Sequence, residues 1–388
     1  MPDAKNFKIE ALFPNFYHES WVAYTLKSVL EGLEDGEIDV GATVLAKAAQ
    51  VTAANVHPVM SRRVHRLVRP YITRPMEWTF RSARKRLNGG DVAYFWLGSP
   101  AIMCNHFRSR GIMVVREMIN CTLELRRREL TKAYAALGEP DRSGISDEMI
   151  LDERRDLLGV DAIFCPSPFV RQSVLDYGVP PERCIDTSYG WNAERLATGG
   201  RVSPDDGVFT VAFVGTIDVR KGVPLLLEAW LRSGVKGRLL LAGHVSPDIE
   251  HRFGDILSRP DVIRLGYVHD VGAVYRAADV FCFPSWEEGC PLVTLEAMAM
   301  GSIPVVTPMG TGGAFSEVED IGIVIPPGNV EALGRALSEL ASDRPRVEHM
   351  KQQAKARAAQ YTWHAVGQRR RTALIQKRDM WKHARASV

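Results

Sequence analysis

Short apolar runs recur along the whole chain, each bounded by polar turn residues. In the first half they fall at Lys8–Phe13, Asp91–Trp96, Gly111–Arg116, Asp161–Ser167 and Cys184–Ser188. In the second half they fall at Thr210–Gly215, Arg238–Ala242, Val262–Leu265, Val280–Phe283, Ile303–Thr307 and Gly322–Ile325. Most are near-continuous rather than alternating, which is the pattern of strands buried on both faces. Segments of helical pattern separate them, among them Phe169–Tyr177, Pro224–Ser233 and Val271–Ala278. The early part differs: a loop at Pro14–Glu19 leads into basic segments that read as helical. Strand and helix in alternation predict parallel sheets covered on both faces. Between Ala197 and Gly207 the composition turns to Gly, Ser, Pro and Asp, which marks a linker between two α/β halves.

At 388 residues the chain is long enough for two domains with separate cores. Its 46% apolar and 24% charged residues are those of a globular protein. No apolar run approaches the ~18 residues of a membrane span, and Met1–Lys8 lacks the apolar core of a signal peptide. Six scattered cysteines form no Cys-x-x-Cys pair, so they read as reduced thiols, neither a zinc site nor a disulfide frame. The expected compartment is therefore the cytoplasm. The net charge of +3 hides an uneven distribution. Arg62, Arg63, Arg66, Arg69, Arg74, Arg81, Arg84, Lys85 and Arg86 stand against the single acid Glu77, with Tyr71, Trp78 and Phe80 interleaved. Such a stretch suits a solvated helix face, an anionic membrane surface, nucleic acid or a phosphorylated acceptor.

The chemistry concentrates in Pro284-Ser285-Trp286-Glu287-Glu288-Gly289-Cys290-Pro291-Leu292-Val293-Thr294-Leu295-Glu296, which continues to Gly301. It reads as strand, turn and helix, with Pro291 opening the helix and Gly301 as the left-handed residue beyond its end. The helix N-terminus near Leu292 and Val293 favours an anion, typically a phosphate. A second motif, Val214-Gly215-Thr216-Ile217-Asp218-Val219-Arg220-Lys221-Gly222, follows another strand. Two cations just before a helix oppose its dipole, which points to an anionic ligand there. Glycine at 222 would let the backbone approach that ligand.

Together these motifs resemble the Glu-x7-Glu element and the Gly…Lys-Gly loop of the retaining glycosyltransferases of family 4. The resemblance is dense over 210–333, thinner over 111–192 and weak before Gly111. It implies a GT-B architecture: two Rossmann-like α/β domains with parallel sheets facing a cleft. The implied division is 1–196 on the acceptor side, a linker at 197–207, a donor domain at 208–360, and helices at 361–388 crossing back. It also implies that Glu288 faces the donor sugar, Glu296 the ribose, and Lys221 the diphosphate, with Arg220 adding charge. Gly215, Thr216, Gly289, Cys290, Leu292, Val293 and Val268 would line the nucleotide. Gly312-Gly313-Ala314-Phe315-Ser316-Glu317 resembles a later supporting element.

The reaction implied is retaining transfer of a sugar from a nucleotide-sugar, UDP- or GDP-linked, to a carbohydrate or lipid-linked acceptor. No Asp-x-Asp motif is present to hold a metal-bound diphosphate, so neither metal nor other cofactor is expected, nor is nucleic acid. The first domain departs from the family. The loop after its first strand lacks the paired glycines, and Arg116-Glu117-Met118-Ile119-Asn120 replaces the usual His. His18, Glu117 and Asn120 are the acceptor-side candidates by position. The alternatives are a GT-B epimerase, a phosphorylase, or a non-catalytic subunit.

Overall fold

The computed structural model describes residues 7–18, 21–35, 37–51, 53, 55–196, 199–315 and 320–386. Its first sheet contains β1 (Phe7–Tyr17), β2 (Ile38–Lys47), β3 (Val56–Pro58), β4 (Val92–Phe95), β5 (Met113–Glu117), β6 (Ala162–Cys165) and β7 (Cys184–Asp186). The second contains β8 (Phe209–Val214), β9 (Gly237–Ala242), β10 (Val262–Gly266), β11 (Val280–Phe283), β12 (Ile303–Val306) and β13 (Ile323–Val324). The spatial orders are β3-β2-β1-β4-β5-β6-β7 and β10-β9-β8-β11-β12-β13. All neighbours are parallel, and helices cover both faces. Strands such as β4, β8 and β11 are buried at every position, as their unalternating apolar runs require.

Each sheet reverses its order once, between β1 and β4 in the first and between β8 and β11 in the second. In open α/β sheets, ligands bind beyond the carboxyl ends of the strands at such a reversal. Both chemical motifs of the second half lie there, one after β8 and one after β11.

Two early expectations are corrected. The loop predicted from Pro14 is still β1 as far as Tyr17, and a register shift between Phe13 and Phe16 accommodates the proline. β2 and β3 replace part of what reads as basic helix, because β2 is buried on both faces and carries no alternation to betray it.

The last helix, Trp363–Ala386, returns to the first sheet. It crosses the helix Trp21–Leu33 so closely that a Cβ on Gly32 would sit 2.6 Å from the Gly367 Cα. Where the chain passes over, the Trp363 N–H donates to the Trp191 carbonyl at 3.1 Å and the Trp191 N–H to the Tyr361 carbonyl at 3.0 Å.

Candidate active site

Two loops meet at the reversal in the second sheet. Trp286 donates its backbone N–H to the Arg220 carbonyl at 3.0 Å, and the Ser285 hydroxyl lies 3.1 Å from the same oxygen. Gly222 has φ of +71°, and a Cβ there would lie 1.9 Å from the Pro284 carbonyl oxygen. A glycine is therefore required here by contact with the neighbouring loop. Behind the junction Phe213, Phe281 and Phe283 stack at centroid distances of 5.7–5.8 Å. The Lys221 ammonium stands 5.0 Å from the Phe283 ring centroid.

Lys221, Arg220 and Glu288 come together as one ionic group. Glu288 Oε1 accepts from Lys221 Nζ, from Arg220 Nη1 at 3.3 Å and from the Ser285 hydroxyl at 3.2 Å. Arg220 also meets Glu287 Oε2 at 3.2 Å. Burial opposes the Arg220 charge, but Glu288 and Glu287 more than offset it, so its pKa lies above the ordinary value. Glu287 is fully buried. Desolvation, with the neighbouring Glu288 adding to it, raises its pKa against the pull of Arg126, Arg220 and Lys221. Asp218 fixes the turn by accepting from the Lys221 backbone N–H at 2.8 Å.

Two helix N-termini point into this junction. The helices Val223–Ser233 and Leu292–Ala299 start at Gly222 and Pro291, and neither has a side-chain cap. In the first of them the Val223 N–H is already given to the Asp218 carbonyl and Pro224 has none, so the donors suited to a diphosphate are the first N–H groups of Leu292–Ala299 and the two cations. Gly301, with φ of +86°, follows the second helix as the sequence predicts.

Glu296 lies deeper. Its carboxylate meets Arg195 at 3.3 Å and the Tyr275 hydroxyl at 3.3 Å. Burial raises its pKa, while Arg195 and Tyr275 work the other way. Arg195 belongs to the short helix Ala193–Leu196 before the second half, and its guanidinium also covers the Tyr24 ring of the first. Gly215 (φ +146°) and the exposed Thr216 follow β8. Val293 packs on the core of the second half, and half-buried Val268 flanks the end of β10.

The first half closes on these loops. A Cβ at Gly289 would lie 2.1 Å from the Ile119 carbonyl oxygen and 2.7 Å from the Asn120 Cα. Asn120 thus stands at the junction, with its side-chain oxygen accepting from the Cys121 N–H at 2.9 Å. Cys290 is buried in the core of the first half, its sulfur 3.8 Å from the Ser188 hydroxyl, and Leu292 packs on the same core. Their side chains pack on the first half because this loop bridges the halves. Arg126 reaches Glu287 from the helix Leu123–Ala135 at 3.8 Å. Arg127 and Arg128 pair with Asp147 and Glu129, so the arginine run is engaged within the protein. As a result the Lys221 and Glu288 side chains are only 14% and 12% exposed.

Glu117 is corrected most clearly. It has no exposed surface, and Arg370 Nη2 lies 2.5 Å from one oxygen while the Tyr189 hydroxyl donates to the other at 2.9 Å. Tyr94 donates to it as well. The carboxylate holds the last helix to the first sheet and is not presented to an acceptor. His18 is half-buried at the carboxyl end of β1, its ring 6.1 Å from that of Phe16. Gly313 faces Ser188, whereas Glu317 lies outside the described residues.

Open cavities between the halves lie beside the junction. One of about 420 Å³ is lined by Tyr134, Leu137, Arg142, Val219 and Phe253. Another of about 490 Å³ is lined by Ser167, Arg171, Thr187, Gly313 and Arg369. Among the described residues no group of His, Cys, Asp or Glu is arranged to hold a metal ion, and no helix is long and apolar enough to cross a membrane.

Sequence reasoning missed Glu287, Ser285, Asp218 and Arg195. Glu287 beside Glu288, opposite adjacent Arg220 and Lys221, is a readable signal of a charge cluster. Arg195 carries none, since only tertiary packing brings it to Glu296.

The two sheets and their facing loops define a GT-B protein. Residues 208–343 match the family model for glycosyl transferases group 1, so the second half is similar in sequence to that family. A D-inositol 3-phosphate glycosyltransferase of Rhodococcus erythropolis is 28% identical over 214 residues, which cover 48% of this chain and 47% of that protein. An O-antigen chain mannosyltransferase B of Escherichia coli is 31% identical over 160 residues, 39% of this chain and 42% of the relative. The chain thus spans about half the length of the curated relatives it matches. Among solved structures, Anabaena HepE in complex with UDP and glucose aligns with a TM-score of 0.69 at 15% identity, over 95% of this chain and 100% of HepE. WaaG, a glycosyltransferase involved in lipopolysaccharide biosynthesis, aligns at 0.66 and 16%, over 95% of this chain and 99% of its own.

Proposed function

We propose that the chain is a retaining glycosyltransferase of family 4, acting in polysaccharide or glycoconjugate assembly without a metal. The donor is a nucleotide-sugar, UDP- or GDP-linked, and the acceptor a hydroxyl of a carbohydrate or lipid-linked carbohydrate. The observation that carries this reading is the meeting of Lys221 and Arg220 with Glu288, beside the uncapped N-terminus of the helix Leu292–Ala299 at the reversal in the second sheet. The functional division follows as 1–196 for the acceptor, 197–207 as linker, 208–360 for the donor, and 361–388 as brace.

Lys221 and Arg220 then bind the diphosphate, and Glu288, released from Lys221, turns to the donor sugar. Glu296 takes the ribose hydroxyls once Arg195 leaves it. The anomeric bond to the diphosphate breaks as the acceptor oxygen bonds on the same face, and the acceptor proton passes to the departing phosphate oxygen. A cation roughly 4 Å from the developing charge is worth up to ~4 kcal/mol at an effective dielectric near 20. A helix N-terminus contributes about 0.3–2 kcal/mol, so Lys221 outweighs it in stabilising the leaving group.

Calorimetric titration with UDP, GDP and ADP tests the site. Saturable binding to one of them, weakened about tenfold or more (~1.4 kcal/mol) in Lys221→Ala, is the expected result. Folded protein that binds none of the three removes the donor site. The pairing of Glu296 with Arg195 favours one second reading, a non-catalytic subunit of the same fold. Nucleotide binding with no sugar transfer across a broad acceptor panel would support that reading.

A further inference from the structure

From Ser61 to Trp78 no residue is buried. The segment forms the helix Arg62–Val68, a tight turn Arg69–Tyr71 and the start of the helix Pro75–Ala83. Globular proteins rarely leave a folded stretch of this kind uncovered while it carries large apolar side chains. Here Leu67 is 74% exposed, Tyr71 80%, Trp78 48% and Val64 46%.

The helix Pro75–Ala83 is anchored by one face only. Thr79 and Ala83 are buried, and Phe80 turns inward to pack on Phe107 at a centroid distance of 5.3 Å. Phe80 thereby leaves the exposed aromatic set that the sequence suggested. Trp78 stays outside. Around these tips all nine cations from Arg62 to Arg86 are exposed. The single acid among them, Glu77, is paired with Arg74 at 3.1 Å.

The patch borders the cleft. The Phe16 ring at the carboxyl end of β1 stacks on His65 at 5.3 Å, and Met76 Cε lies 3.8 Å from where a Cβ on Gly98 would be, in the loop after β4. These are the strand ends at the order reversal of the first sheet.

We propose that residues 61–85 dock on a bilayer surface that contains anionic lipid. Leu67, Tyr71 and Trp78 enter the headgroup region, and the arginines meet lipid phosphates. Two features select this occupant. A second copy would bring two strongly positive faces together. Nucleic acid would use the cations and aromatics but leave the aliphatic tips of Val64 and Leu67 in water. Docking in this way turns the first half's share of the cleft toward the lipid. That the acceptor is therefore lipid-borne rests on the transferase reading above; the surface itself does not.

The full chain is sedimented with vesicles of phosphatidylcholine alone and of phosphatidylcholine mixed with phosphatidylglycerol. Binding to the mixed vesicles only, weakened by added salt, is expected. The double variant Leu67→Ser/Trp78→Ser alters exposed side chains alone and is expected to lose about tenfold or more of that binding, with nucleotide affinity unchanged. No binding to mixed vesicles by folded protein overturns the proposal. Undiminished binding by the double variant overturns it too, and so does tighter binding to single-stranded RNA than to the vesicles. Nucleotide titration of the same preparation reports on the donor site separately, so either reading can fail alone.

Discussion

Gly289 stands where a side chain would collide with the opposite half, its Cβ position only 2.1 Å from the Ile119 carbonyl oxygen. Real Cβ contacts do not come so close, and backbone on both sides leaves nothing flexible to yield. Gly289→Ala is therefore expected to keep the halves apart while leaving Lys221 and Arg220 in place. Nucleotide affinity should stay within about threefold (~0.65 kcal/mol) of the natural protein, and sugar transfer should fall about tenfold or more (~1.4 kcal/mol). Calorimetry and a transfer assay on the same sample check this, and equal transfer by the variant would contradict it. The same residues show what a sequence can convey. Glu288, Lys221 and Arg220 are legible because each lies in a short motif next to a strand end. Glu117 looked equally promising by position, but its burial depends on Arg370, which is 253 residues away.

The helix Trp363–Ala386 is held through that buried pair, with Tyr94 and Tyr189 completing the hydrogen bonds. Removing one member of a buried ion pair strands its partner and costs about 3–5 kcal/mol. Glu117→Ala and Arg370→Ala should each lower urea-unfolding stability by that order. A loss below roughly 1 kcal/mol in either would mean that the helix is secured elsewhere. Glu117→Gln should likewise reduce stability, whereas an acceptor-binding carboxylate would cost turnover alone. Strands of the second half are readable within a residue or two, since each is short, apolar and followed by a clear turn, whereas the helix Pro247–Leu257 between β9 and β10 is not. Nor is β2. Its strand is buried on both faces, and periodicity cannot separate such a run from a buried helix.

Across the whole molecule, buried carboxylates make stability depend on pH. Glu10 and Glu153 in the first half, and Glu287 and Glu296 in the second, all have pKa values raised chiefly by burial. Each binds its proton more tightly folded than unfolded. Their contribution is therefore greatest below the usual glutamate value of about 4.5 and declines as pH rises through the raised folded values. Glu10→Gln removes one of these groups and keeps a partner for the Thr43 hydroxyl, which lies 2.6 Å from Glu10. The difference in melting temperature, variant minus natural protein, should grow in the variant's favour across that interval and then level. A difference that does not change with pH would rule out Glu10 as a contributor.

The return of the last helix to the first sheet also sets an order of assembly. All seven strands of that sheet have been synthesised by Asp186, yet the helix that crosses Trp21–Leu33 begins only at Trp363. While the ribosome makes the second half, the face that this helix will cover has no cover. The face of Trp21–Leu33 that carries Tyr24 and Gly32, which meet Trp363 and Gly367 in the folded protein, must stay in contact with water, or with a chaperone, until that helix is made. Of these two domains, the one made first is thus the last to be finished.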